Sequence, residues 1–172
     1  MRPHPRMSAL ATVGAVSAAL VTGFGVALPA SIAQTGDQDG MILQTPDDLD
    51  WQPGPASLPA GVEYVLLEGD PSADDFFTMR LKFPDGYQVQ PHMHSRTERV
   101  TVLSGTANFG HGEAAAWDKT TSYPAGSYLS IAPDTAHYVA AEGETIVQLN
   151  ASGPWTITYV NPADDPRGSD GN

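Results

Sequence analysis

Cysteine is absent from the 172 residues, bases are scarce and no long helical pattern runs through the chain. Without cysteine there are no disulfides, no thiolate metal site and no cysteine nucleophile. Lys and Arg number 8 against 20 Asp and Glu. A surface so poor in positive charge repels phosphate backbones and anionic headgroups, which argues against nucleic acid as a partner. There is no internal repeat and no long low-complexity tract, so a chain of this length suggests one domain. Only Glu113–Lys119 reads as helical in the globular part, and it is short. With no long helix to cover a sheet face, the sheets must cover each other.

The start of the chain has the order of an export signal. Arg2 and Arg6 precede an uncharged run from Ala9 to Leu28, and Ser31-Ile32-Ala33 supplies small residues for cleavage before Gln34. A retained membrane anchor fits less well, because the run is rich in Ala, Gly, Ser and Thr and no basic stop follows it. The expectation is a signal peptide at 1–33 and an extracytoplasmic protein, periplasmic or secreted, with no membrane span after cleavage. Residues 1–33 hold two arginines and no acid, so the remainder carries −14 where the whole chain carries −12. The acids sit in small groups, Asp47-Asp48, Asp74-Asp75 and Asp164-Asp165, which read as solubility rather than as a calcium site.

Residues 34–61 form a polar, Pro- and Gly-rich arm in which Ile42, Leu43, Leu49 and Trp51 call for burial. Short apolar runs then alternate with turn signals. Val62–Glu68, Phe76–Phe83, Arg99–Phe109, Ser127–Ile131, His137–Ala140, Thr145–Asn150 and Trp155–Val160 read as strands. Pro-Asp-Gly at 84–86, Ser-Gly at 104–105, Pro-Ala-Gly at 124–126 and Gly-Pro at 153–154 read as turns. The result is an all-β sandwich or barrel over 62–162, with a flexible tail at 163–172.

His92 and His94 lie two residues apart, so on a strand both imidazoles face the same way. Glu98 follows across a turn and starts an inward row continued by Val100 and Val102. Beyond residue 33 the only other histidines are His111 and His137. His137 opens a predicted strand and completes the set, whereas His111 in Gly-His-Gly reads as a loop residue. Three imidazoles and a carboxylate suit one divalent transition metal, Fe, Mn, Ni, Zn or Cu, with positions left for water or substrate. Gln90 shares the parity of His92, and Gln148 lies on a later strand, so both are candidates for a substrate pocket beside the metal. Trp117, Trp155 and Tyr159 read as packing residues, and Arg80 as solvated.

Gly86, His92, His94, Glu98 and Gly105 stand at the spacing of the first signature of the cupin superfamily. Gly126 and His137 match the second, which here has Ala132 in place of its proline and Asp134 in place of its glycine. Over about residues 60 to 160 the chain resembles small single-domain bacterial cupins that share its Glu-Gly-Asp-Pro (68–71), Gly-Pro-Trp (153–155) and Tyr-Val-Asn-Pro-Ala-Asp-Asp-Pro-Arg (159–167) stretches. The resemblance implies a double-stranded β-helix, or jelly roll, with these four metal ligands, and a homodimer formed through sheets and arms. It leaves the substrate open. The leading expectation is a metal-dependent oxidoreductase, dioxygenase-like and with iron favoured, acting on a small molecule. The alternative is a non-catalytic binding or sensor protein.

Overall fold

The computed structural model describes residues 37–38 and 40–168, all within the unit Thr35–Asn172. The expected signal segment, 1–33, lies outside the described residues. Eleven strands occur among them: β1 Asp37–Gln38, β2 Met41–Ile42, β3 Gln52–Pro53, β4 Glu63–Glu68, β5 Phe76–Phe83, β6 Gln88–His94, β7 Glu98–His111, β8 Thr121–Pro124, β9 Tyr128–Ile131, β10 His137–Ser152 and β11 Ile157–Tyr159. Every pairing between them is antiparallel. β1 and β2 form a hairpin of their own, and the other nine make one curled sheet.

Two long, bent strands form its spine. β10 pairs with β7 along most of its length. Its other edge meets β6 near His137 and β5 from Thr145 onward. β7 likewise pairs with β9 from Glu98 and with β8 from Thr106. The segments His137–Ala140 and Thr145–Asn150, expected as two strands, are therefore one strand bent in the middle. The bend is visible as a register shift between Glu142 and Ile146. Gly105 lies against it at φ +71°, where an added Cβ would come within 2.4 Å of the Glu144 carbonyl. A side chain at 105 would push the spine apart. Thr145, wholly buried at the same bend, accepts from Thr106 N and shares its hydroxyl with the carbonyls of Thr106 and Gly143, each at 3.1 Å.

Period two decides what the curled sheet encloses. Leu81, Val147 and Val102 lie on one cross-strand row, and Met79, Leu149 and Val100 on the next, all on the inner face. The opposite parity puts Arg80, Gln148 and Thr101 on the outer face, where Arg80 Nε donates to Gln148 Oε1 at 3.2 Å.

Three expectations need correction. Of the four arm residues expected to be buried, Ile42 and Leu43 are 53% and 65% exposed and only Leu49 and Trp51 are half-buried. Glu113–Lys119 holds one short 3-10 turn, Trp117–Lys119, and Ala116 just before it is at φ −121°, ψ 80°, outside the helical region. The described part of the expected free tail, residues 163–168, has defined structure. Two 3-10 turns, Pro162–Asp164 and Pro166–Gly168, follow β11, and Arg167 Nη2 donates to the Ile157 carbonyl at 3.1 Å. No helix among the described residues is long and apolar enough to cross a membrane.

Candidate metal centre

β6, β7 and β10 bring His92, His94, Glu98 and His137 to one place on the inner face. His92 and His137 are direct cross-strand partners with ring centroids 4.3 Å apart. His94 is two residues further along β6, its ring 4.9 Å from His92 and 5.4 Å from His137. One nitrogen from each of the three imidazoles lies within 4.8 Å of the others. Glu98 opens β7 and brings Oε2 to 3.2 Å from His137 Nε2 and 3.6 Å from His94 Nε2. All four residues are buried, none more than 7% exposed.

Each ring is held from behind by the main chain. His92 Nδ1 lies 2.7 Å from the Gln90 carbonyl, His94 Nδ1 3.0 Å from that of Thr156, and His137 Nδ1 2.9 Å from that of Thr135. A carbonyl can only accept, so each Nδ1 carries the proton. Every Nε2 is then left as the coordinating atom. The turn before His137 departs from the signature at Ala132 and Asp134. Asp134 takes φ 55°, the left-handed conformation that a glycine would supply, and its N–H donates to the His94 carbonyl at 2.9 Å.

The electrostatics separate the four groups. Burial, helped by the neighbouring imidazoles, pushes His92 down to about 3. Burial also lowers His94, partly offset by Glu98. For Glu98 burial is the largest influence and opposes ionisation, but the contact with His137 and the surrounding imidazoles outweigh it and hold the carboxyl below its ordinary value. At His137 burial is again the largest influence, yet Glu98 and the Thr135 carbonyl overcome it and raise the imidazole. His137 and Glu98 thus hold one proton between them. His94 Nε2 and Glu98 Oε2 are buried without a well-aligned hydrogen bond, and the 3.2 Å approach to His137 is an ionic contact of poor angle. Such atoms are costly unless something is bound there. Three neutral imidazoles and one carboxylate fit a divalent first-row transition metal.

The centre forms part of the wall of a chamber of about 420 Å³ between the sheet faces. Tyr64, Met79, Leu81, Val147 and Leu149 line it from the sheet, Leu58 from the loop after β3, and Ile157 from β11. Sequence reasoning missed two of its residues. Trp155 stacks on the His94 ring at 4.2 Å and meets Phe77 edge-on at 5.8 Å. Arg167 lines the chamber from the ordered tail. Neither could be paired with the centre from spacing, since both lie beyond the last signature residue.

Gln90 and Gln148 do not line the chamber. In β6 the three steps from Val89 to His92 pair with only two in β10, from Val139 to His137. This bulge flips the parity, so Val89 and His92 both face in and Gln90 is left out, contributing only its carbonyl to His92. Gln148 is bound to Arg80 on the outer face, where both line a separate groove with Ile42 and Leu49. His111 is exposed at the end of β7.

The fold is that of several solved structures. The polyketide cyclase RemF from Streptomyces resistomycificus shares 18% identity at TM-score 0.57, over 73% of this chain and 89% of that one. An acetylacetone dioxygenase from Acinetobacter johnsonii shares 18% at TM-score 0.55, over 72% and 79%. An RmlC-like cupin from Shewanella frigidimarina NCIMB 400 shares 12% at TM-score 0.50, over 63% and 87%. No curated protein matches the sequence. Residues 39–156, well over half of the chain, match the ChrR cupin-like domain, and the chain belongs to that family of the cupin superfamily.

Proposed function

We propose that this cupin is an exported, metal-dependent enzyme of the dioxygenase type that acts on a small organic molecule, with His92, His94, Glu98 and His137 holding one divalent metal, iron favoured. The observation that carries this reading is the preset donor set. Three Nδ1 atoms are fixed by main-chain carbonyls, three Nε2 atoms are left for one ion, and the buried Glu98 carboxylate stands beside them. Divalent iron held by this set supplies Lewis acidity and redox chemistry with dioxygen. The likeness in fold to an acetylacetone dioxygenase supports the choice of reaction class.

The remaining roles belong to the chain itself. Trp155 and Phe77 brace the His94 ring. The apolar wall keeps bulk water from a bound substrate. Apart from the centre, no acid or histidine lines the chamber among the described residues, so no side chain stands ready as a separate general base.

The test is elemental analysis of the protein purified from its native compartment, without chelator or added metal. Near-stoichiometric iron and oxygen consumption with a catechol, flavonol or thiol are expected. Tightly held zinc that resists chelators, without turnover, would overturn the oxygenase reading in favour of a binding or sensor protein. An extracytoplasmic product beginning at Gln34 checks the export step.

A further inference from the structure

We infer that the chamber selects an uncharged substrate with an apolar body and its oxygen donors at one end, and that Arg167, although it lines the chamber, does not recruit anions. The inference rests on the metal-centre reading for where the oxygens go, and on the chamber alone for everything else.

Polarity in the chamber is concentrated at the metal centre. Besides the three imidazoles and Glu98, only Ser57, Tyr64, Thr156 and Arg167 bring polar side chains to a lining that is otherwise apolar, with Met79, Leu81, Phe83, Val147 and Leu149 among it. About 420 Å³ is at the lower end of the roughly 300–1,000 Å³ range for small-molecule sites, so a small ring or branched chain fits and a polymer does not. A charged tail on the substrate would be driven into the apolar wall, where an unpaired ion is very costly.

The one possible rescue is already engaged. Arg167 is the only Lys or Arg lining the chamber among the described residues. Its Nε and Nη2 donate to the two carboxylate oxygens of Asp165 at 2.8 and 2.6 Å, and Nη2 also reaches the Ile157 carbonyl. A bidentate fork closed on its own carboxylate has little left for another. The sequence beyond residue 33 carries −14, which adds a long-range bias against anions. Among the candidate substrates, uncharged catechols, flavonols and thiols are therefore favoured over those that carry a carboxylate or phosphate.

A pair of probes with the same head and different tails tests this. 4-Methylcatechol carries two adjacent oxygens and a methyl group, and 3,4-dihydroxybenzoate carries the same oxygens and a carboxylate. Both are titrated anaerobically into the whole protein by calorimetry, in zinc-loaded and metal-free forms. Zinc takes the same ligands without redox turnover. 4-Methylcatechol is expected to bind at least tenfold more tightly than 3,4-dihydroxybenzoate in both forms. Equal affinity, preference for the carboxylate, or no binding of 4-methylcatechol to either form overturns the inference. Asp165→Asn, with folding checked by circular dichroism, frees the Arg167 fork and is expected to narrow the preference at least threefold by strengthening 3,4-dihydroxybenzoate. An unchanged ratio overturns the role given to that pair. Failure to take up zinc would refute the metal reading, while the metal-free titration would still decide the chamber's preference.

Discussion

The proton shared by His137 and Glu98 makes metal loading a countable event. At pH 6 His92, held down to about 3, is neutral, and His94 is also lowered. Both can accept a cation at once. His137 is raised and Glu98 lowered, so their pair holds one proton at 3.2 Å. A divalent ion entering the centre must expel it, because a coordinating Nε2 needs its lone pair. Loading at pH 6 is therefore expected to release close to one proton per metal, although three histidines are involved. The sign follows directly. Below the raised His137 value the affinity falls about tenfold, or ~1.4 kcal/mol, for each unit that the pH drops, and above it the dependence flattens. Glu98→Gln removes the partner that raises His137, leaving burial to keep the imidazole neutral, so the release should drop towards zero. Calorimetry in two buffers of different ionisation enthalpy counts the protons. Release of two or more from the wild type, or an undiminished release from Glu98→Gln, would refute this account of the centre.

Three further outcomes follow from other parts of the fold. In the metal-free protein His92 is buried and neutral with a value of about 3, below its ordinary 6.5. Its contribution is present above pH 6.5 and is lost as the pH falls towards 3. The urea midpoint should drop across that window, and a flatter profile in His92→Leu checks the assignment. Trp155→Ala removes the stacked face of His94 and the edge contact with Phe77. It should lower metal affinity roughly 10- to 100-fold, as loss of a ligand-orienting partner does, and Trp155→Phe should recover most of it by equilibrium competition with a chelating dye. Thr145→Val keeps the shape at the spine bend but strands the Thr106 N–H. A cost of about 2 kcal/mol in denaturant unfolding is expected, and a change below about 0.5 would show that the bend does not depend on that hydroxyl.

Much of the centre was legible because its residues are close in sequence and strand parity is reliable. His92-x-His94 put both imidazoles on one face, and Glu98 stands at the signature's offset after them. The parity rule failed where the chain departs from a regular ladder. Pro91 lacks an N–H to donate and lies in the bulge, so Gln90 does not share the facing of His92 as a regular strand would require. A proline inside an expected strand was the available signal. Gln148 was misplaced for another reason. Without the register between β10 and β5, its choice of face is undetermined, and pairing with Arg80 settles it outward. Trp155 and Arg167 reach the chamber through tertiary contacts that no local pattern records. At Asp134 a non-glycine residue holds the left-handed conformation, and its N–H is tied to the His94 carbonyl at the end of the neighbouring strand β6.

The three carbonyls behind the imidazoles have a consequence for how such a protein can change over time. In many metal centres the ligands are oriented by neighbouring side chains, so each ligand drags a retinue of fixed residues with it. Here that task falls to Gln90, Thr135 and Thr156 through atoms that every amino acid possesses. Replacing any of the three side chains leaves the anchoring oxygen where it was, provided the strand path is kept. The identity of the chamber's apolar lining is thereby uncoupled from the orientation of the imidazoles. Lineages, or a designer, can exchange Met79, Leu81 or Leu149 to admit a different molecule without rebuilding the ligands that would act on it.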